Sequence, residues 1–260
     1  MVSQSGRFVQ PLLNVMTSAV EALTTIGPIE RQTLGDQVYG HMRELLMAGR
    51  LAPGEKLSLR ATAEALGISM MPVREAVSRL VADRALEVTP NRAIRVPVLS
   101  VEQFRELSAV RIEIEGFAAE RAASAATPAE IVAIAEAEAA FRRLSLDAGA
   151  DLSEAVSRNK EFHFAVYAAS GLPTLFEIIG GLWLKAGPVI NLDLRANPER
   201  LATGGAVRFH ADALAAIRVG DGPAARRAIA GDIRGASEFI IARGGLAHAA
   251  ADGFSDIKII

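Results

Sequence analysis

Five polar residues stand where apolar ones are expected, and together they have the chemistry of a cation or anion site. Phe104, Leu107, Arg111, Ile114 and Ala118 recur at helical spacing with Arg111 in the middle of the stripe. Leu152, Val156, Asn159, His163 and Val166 form a second stripe that holds Asn159 and His163 one turn apart. Val207, His210, Leu214 and Ile217 form a third, and Ala225, Ile229, Asp232, Ala236 and Phe239 a fourth. An unsatisfied neutral polar group in a core costs roughly 1–3 kcal/mol and a charge costs more. Five such groups on four apolar faces therefore imply convergence on one site. The Asn159/His163 pair can chelate a divalent cation from one helix, with His210 and Asp232 closing the shell from two others. Arg111 would then grip a ligand carboxylate with two parallel hydrogen bonds. Two plainer readings use the same residues. A histidine on an apolar face is more often hydrogen-bonded in the core than ligating, and Asp232 could pair with Arg111 as a buried ion pair without any metal.

A metal-dependent all-α enzyme with an accessory helix-turn-helix is the rival from another class. It needs an open coordination position and a general base. Glu161 is the nearest acid in sequence, but it falls on a different helical face from His163. His41 and His248 lie outside the cluster and read as surface residues.

The elements that must position these groups are helices. The chain has 260 residues, half of them hydrophobic and many of those alanine, which favours close helix packing in two domains, each with its own core. Ser100 with Gln103 and Thr127 with Glu130 are capping-box starts, and helices are expected near 100–125, 128–146, 151–170, 173–187, 199–219 and 221–243. There are no cysteines, so disulfides and zinc-thiolate sites are excluded. No apolar run reaches the roughly 18 residues of a membrane span, and the N-terminus lacks a secretory pattern, so a cytoplasmic protein with no membrane partner is expected.

The first third reads differently. Leu34, Val38, Met42, Leu45 and Leu46 follow helical spacing up to Gly49, and Pro53-Gly54 makes a turn. A second helix runs from Ser58 or Leu59 to Gly67, and a third from Ser69, its cap, to about Arg84, with Pro72 tolerated in the first turn. Leu86-Glu87-Val88 and Ala93-Ile94-Arg95-Val96, split by Pro90-Asn91, read as a two-stranded wing. Helix, Gly-containing turn and second helix suit a DNA groove. Charge supports this only weakly: residues 30–98 carry a net +2 and residues 99–260 a net −4. The domains are expected as an arm at 1–29 with a short helix at 11–24, a winged helix-turn-helix at 30–98, an all-α antiparallel bundle at 99–243, and a tail at 244–260. The fold class is mainly α.

Residues 34–98 resemble the winged helix of the GntR family of bacterial repressors, on the run Pro53-Gly54-Glu55, Leu66-Gly67-Ile68-Ser69 and Pro72-Val73-Arg74-Glu75-Ala76. The resemblance implies that Arg60, Ser69, Met71 and Arg74 touch DNA, with Met70 and Pro72 in the same opening turn and Arg92 and Arg95 reaching the backbone or minor groove from the wing. Helix N-terminal amides suit phosphates, and an Arg fork reads guanine edges. Met70 departs from the family, which usually carries a base-contacting Arg there; a thioether donates no hydrogen bond. Ala93 replaces the usual wing Gly.

Residues 104–240 resemble the FCD ligand-binding domain of the FadR-type subfamily, on Arg111-Ile112-Glu113-Ile114-Glu115, Asn159-Lys160-Glu161-Phe162-His163, and Phe209-His210 ahead of Ala216-Ile217-Arg218-Val219-Gly220-Asp221. Many members hold a divalent metal with an Asp or Asn and three His, and the metal helps bind a small carboxylate effector. Asn159, His163 and His210 match three of those positions, while the fourth falls on Asp232, not His. A carboxylate shifts preference from imidazole-loving metals towards harder ions such as manganese or magnesium; zinc, nickel and manganese stand as the candidate ions. Gly171-Leu172-Pro173 also lacks the family's usual Asn. The resemblance implies a homodimeric repressor, not an enzyme, that binds a palindromic double-stranded operator and responds to an organic acid. A metal-free regulator with an apolar ligand is the alternative within the family.

Overall fold

The computed structural model describes residues 33–147, 149, 151–196, 205–244 and 246. The expected arm with its helix at 11–24, nearly all of the tail, the start of the helix expected at 199 and His248 lie outside these residues.

The N-terminal part is built from three helices and a small sheet. Helix α1 (Leu34–Met47) opens on a capping box in which Thr33 and Asp36 satisfy each other's backbone N–H groups. Strand β1 (Lys56–Leu57) follows the turn at Gly54, whose φ of +81° calls for glycine. Helix α2 (Leu59–Leu66) is capped by the Ser58 side chain and stops at Gly67 in the left-handed conformation. Helix α3 (Met70–Ala82) starts after Ser69, as expected, but the Ser69 side chain makes no capping hydrogen bond. Strands β2 (Glu87–Val88) and β3 (Ile94–Arg95) form the wing. The sheet has three strands rather than two, in the order β1-β3-β2 and antiparallel throughout, because Lys56 and Leu57 pair with Arg95 and Ile94. Two residues alternating exposed and half-buried gave no strand signal in the sequence.

The remainder is helical: α4 (Val101–Ala125), α5 (Pro128–Leu146), α6 (Leu152–Ala168), α7 (Pro173–Ala196), α8 (Ala206–Val219) and α9 (Gly222–Ala242). The capping boxes at Ser100/Gln103 and Thr127/Glu130 both form. Helix α7 overruns its expected end at 187 and carries Pro188 in its interior. Pro188 forfeits one backbone hydrogen bond, but Val189, Ile190 and Leu194 beyond it are buried, and that packing favours continuing the helix. Helix α4 packs along α9, α9 along α8, α5 against α6 and α8, and α7 against α4 and α6.

Separate cores were expected for the two parts; the structure shows two apolar clusters, one within the helical part around Phe104, Phe141, Val156 and Ile240, and one that crosses between the parts. One apolar cluster runs from Val38, Leu46, Met47, Val73 and Leu80 of the winged helix into Ile179, Trp183 and Leu184 of α7 and on to Ile217 and Ile229. The join is made by α1 packing on α7.

Candidate metal centre and nucleic-acid interface

The four helical stripes do meet. His163 on α6 is 2% exposed; its Nε2 lies 3.2 Å from Asp232 Oδ2 on α9, and its Nδ1 lies 2.9 Å from the Tyr167 hydroxyl. His210 on α8 is fully buried, with Nε2 3.8 Å from the same Asp232 oxygen. That is too long for a hydrogen bond, and among the described residues neither ring nitrogen of His210 has a hydrogen-bond partner. Phe162 stacks on the His210 ring at 4.0 Å between centroids and Phe141 approaches at 4.7 Å, so aromatic walls orient an imidazole whose polar atoms are unspent. Ligating atoms of His163, His210 and Asp232 all lie within 4.8 Å of one another. Asn159, buried one turn before His163, lines the same small cavity.

This donor set fits a divalent cation. A buried histidine with both nitrogens orphaned is costly unless something coordinates it, and two imidazoles with a carboxylate and an amide oxygen suit a first-row transition ion. Burial alone would raise the Asp232 carboxyl, but the imidazoles of His163 and His210 outweigh it and hold the group far below the usual carboxylate range. Burial lowers the His210 pKa, against the pull of Asp232, so the imidazole is neutral near pH 7 and free to ligate.

Arg111 is placed differently from the sequence expectation. Its partner is neither a free carboxylate nor Asp232 but Glu115, one turn along α4: Nε to Oε1 is 2.6 Å and Nη2 to Oε2 is 3.1 Å. Burial would lower the Arg111 pKa, but the Glu115 charge more than compensates and raises it. Glu115 also accepts from the Tyr167 hydroxyl at 2.5 Å and from the Trp183 indole N–H at 3.1 Å. Burial, reinforced by the Glu115 charge, pushes the Tyr167 phenol well up, so it stays a donor to Glu115. Glu115, Tyr167 and Trp183 are thus part of the site and were missed. The i, i+4 relations Arg111/Glu115 and His163/Tyr167 were available in the sequence; nothing there pointed to Trp183. Arg111 still lines the cavity with Asn159, His163, Trp183, Ile190 and Asp232. The cavity has a volume of only about 30 Å³, enough for an ion and a water but not for an organic acid in this conformation. Glu161 is exposed and bound to Arg158 at 2.6 Å, so it offers no base to the cluster. His41 is exposed, as expected.

On the other part, the opening of α3 is bare. Met71 is 70% exposed and Met70 45%, and Ser69 and Arg74 are exposed beside them, with Pro72 half-buried beneath. Arg60 on α2 is exposed and paired with Glu64 at 2.9 Å. At the wing tip Arg92 adopts φ +63°, the left-handed residue of the turn that precedes Ala93. Arg95 is bound through Nε to Glu87 across the wing at 2.5 Å and is part-exposed. Among the described residues no helix is long and apolar enough to cross a membrane.

Comparison with known proteins agrees with this architecture. Residues 34–96 match the family described as "Bacterial regulatory proteins, gntR family", and residues 106–235 match the "FCD domain". The chain belongs to the GntR family of transcriptional regulators and carries an FCD domain; it is not an enzyme. It is 34% identical over 177 residues to the HTH-type transcriptional regulator McbR of Escherichia coli (strain K12), covering 67% of this chain and 79% of that protein. It is 26% identical over 211 residues to the HTH-type transcriptional repressor RspR of the same organism, covering 80% of this chain and 90% of that one. The solved structure of E. coli McbR/YncC superposes with a TM-score of 0.75 at 30% identity, covering 82% of this chain and 99% of the other.

Proposed function

We propose that this regulator is a repressor whose operator binding responds to a small organic acid held beside a divalent metal in the helical domain. The observation that carries the reading is the buried imidazole of His210, with no hydrogen-bond partner among the described residues on either nitrogen, beside Asp232 and His163. Asn159, His163, His210 and Asp232 would hold the ion, which would supply a positive anchor for a carboxylate. The charge count favours this order of events. Arg111, Glu115 and Asp232 together sum to one negative charge, which repels an acid. A dication reverses that sign. Arg111, neutralised by Glu115, then orients rather than attracts.

The winged helix would present Ser69, Met70, Met71 and Arg74 to the major groove, with Arg60, Arg92 and Arg95 on the backbone or minor groove. Two copies related by a two-fold axis would read the halves of a palindrome. The name of RspR, a repressor, supports the direction of control.

Thermal-shift titration with manganese, nickel and zinc, each with and without a panel of organic acids, tests the site. A ligand of the native state raises the melting temperature with concentration. Metal followed by acid should raise it, and acid alone should not. No rise with any metal overturns the reading.

A further inference from the structure

Two residues of α7 complete the end of α1 from the other side of the molecule. At the α1 C-terminus the carbonyls of Glu44, Leu45 and Leu46 are taken by the N–H groups of Ala48, Arg50 and Gly49. The carbonyl of Met47 is taken by the side-chain amide of Asn191, which is fully buried. The last orphan acceptor of α1, which its own chain segment would ordinarily satisfy, is therefore capped from the FCD domain. One turn earlier on α7, Gly187 lies so close that a β-carbon there would meet Met47 Cα and O at 2.8 Å and Leu46 O at 3.0 Å. Only glycine lets the helices approach this far. Beside this seat, Glu44 of α1 is ion-paired with Lys160, the residue after Asn159 on α6.

The same face of α7 that carries Gly187 and Asn191 also forms a wall of the metal cavity. Trp183, Ile190 and Leu194 line it, and Trp183 bonds Glu115 and lies 5.4 Å from the His163 ring. A cavity of about 30 Å³ cannot admit an organic acid unless a wall moves. Helix α1, in turn, is locked to the DNA-facing helix: Asp36 bonds Arg79 at 2.6 Å, Tyr39 bonds Asp83 at 2.6 Å, and the Arg79 guanidinium lies 4.0 Å over the Tyr39 ring. We infer that α7 transmits occupancy of the cluster to the DNA-binding helices, and that Asn191 and Gly187, seated on the end of α1, are the positioning residues of that coupling. The inference rests on the cluster being a ligand-responsive site.

Asn191 has a second feature suited to a joint with more than one setting. Its side-chain oxygen is buried and has no hydrogen-bond partner among the described residues, so its acceptor capacity is unused in this arrangement. A small shift of α7 that gave the oxygen a donor would offset loss of the Met47 bond.

Hydrogen exchange of the peptide Arg43–Arg50 tests the coupling. The cluster is disturbed in two ways, by manganese against chelator and by Asp232→Asn in metal-free protein. In the wild type at least one disturbance should change the exchange of this peptide by about fivefold or more, the lower range of allosteric couplings. In Asn191→Ala the peptide should exchange faster at rest and no longer respond; Gly187→Ala, which forces α7 off α1, supplies the same comparison should Asn191→Ala not fold. A merely structural role would lower the melting temperature of these variants and leave the response intact, which overturns the inference. So does a wild-type peptide that responds to neither disturbance. Failure of the metal reading shows separately, as absence of any change in melting temperature or in Trp183 emission on adding manganese. Trp183 is the chain's single tryptophan, and the Asp232→Asn arm continues to test the coupling in that case.

Discussion

Arg111 and Glu115 face each other across one turn of α4, in a two-pronged contact sealed from solvent, with 4% and 0% of their side-chain surface exposed. The pair turns what resembles an anion clamp into part of the scaffold, because a guanidinium already neutralised has little charge left for a ligand. Tyr167 and Trp183 tie the same carboxylate to α6 and α7.

Removing one partner should therefore be costly. Arg111→Ala leaves Glu115 charged and buried, and the loss of stability should be about 3–5 kcal/mol in denaturant unfolding. Replacing both residues by apolar ones of similar size should cost clearly less than the two single changes together. An Arg111→Ala protein as stable as the wild type would return Arg111 to the role of a free anion clamp.

The metal ligands should behave as a set. His163→Ala or His210→Ala should abolish stoichiometric metal in elemental analysis of protein purified without chelator or a histidine tag. The same variants should lose the manganese-, nickel- or zinc-dependent rise in melting temperature. Asn159→Ala, which removes a neutral donor, should weaken the metal without abolishing it.

Acidification should destabilise the metal-free protein. His210 has its pKa lowered in the fold, so its contribution is complete above the unfolded value of about 6.5 and is lost as pH falls towards the folded value. Asp232, with its pKa depressed, adds a second loss at more acid pH, below about 3.9. Melting temperature measured from pH 8 to 5 should fall in the wild type, and the slope should flatten in His210→Leu. Equal slopes would mean that His210 titrates as freely folded as unfolded.

On the DNA side, Arg74→Ala should cost about 1–3 kcal/mol of operator affinity if its guanidinium reads a base. Met70→Arg should change sequence preference, since Met70 is half-exposed beside Arg74 at the head of α3. Equal gains on operator and random DNA would place residue 70 against phosphates alone. Binding of the wild type should weaken steeply with salt, as counterion release requires.

Much of this protein was legible in one dimension because its signals are local. Helical periodicity and the capping boxes at Ser100 and Thr127 place α4 and α5 to within a residue or two, and the stripes through Arg111, His163 and His210 mark inward faces. On α9 the buried line runs through Ile229, Ile233, Ser237 and Ile240, with Asp232 half-buried beside it. Spacing sets a helix face, but on α4 and α9 the buried line is shifted by a residue, through Ser108 and Glu115 and through Ile233 and Ser237. The convergence of His163, His210 and Asp232 followed from the cost of burying polar groups singly.

Which inward group pairs with which was decided only in three dimensions. The choice of Glu115 over Asp232 as the partner of Arg111 depends on how α4 and α9 are rotated against each other, a quantity that no spacing within either helix contains. The same holds for α7: its run through Pro188 and the seating of Asn191 and Gly187 on Met47 come from packing between residues 144 positions apart in the case of the Asn191 bond. Local sequence determined the helices, whereas long-range packing decided the pairings between them and carried one apolar cluster from the winged helix into the helical part.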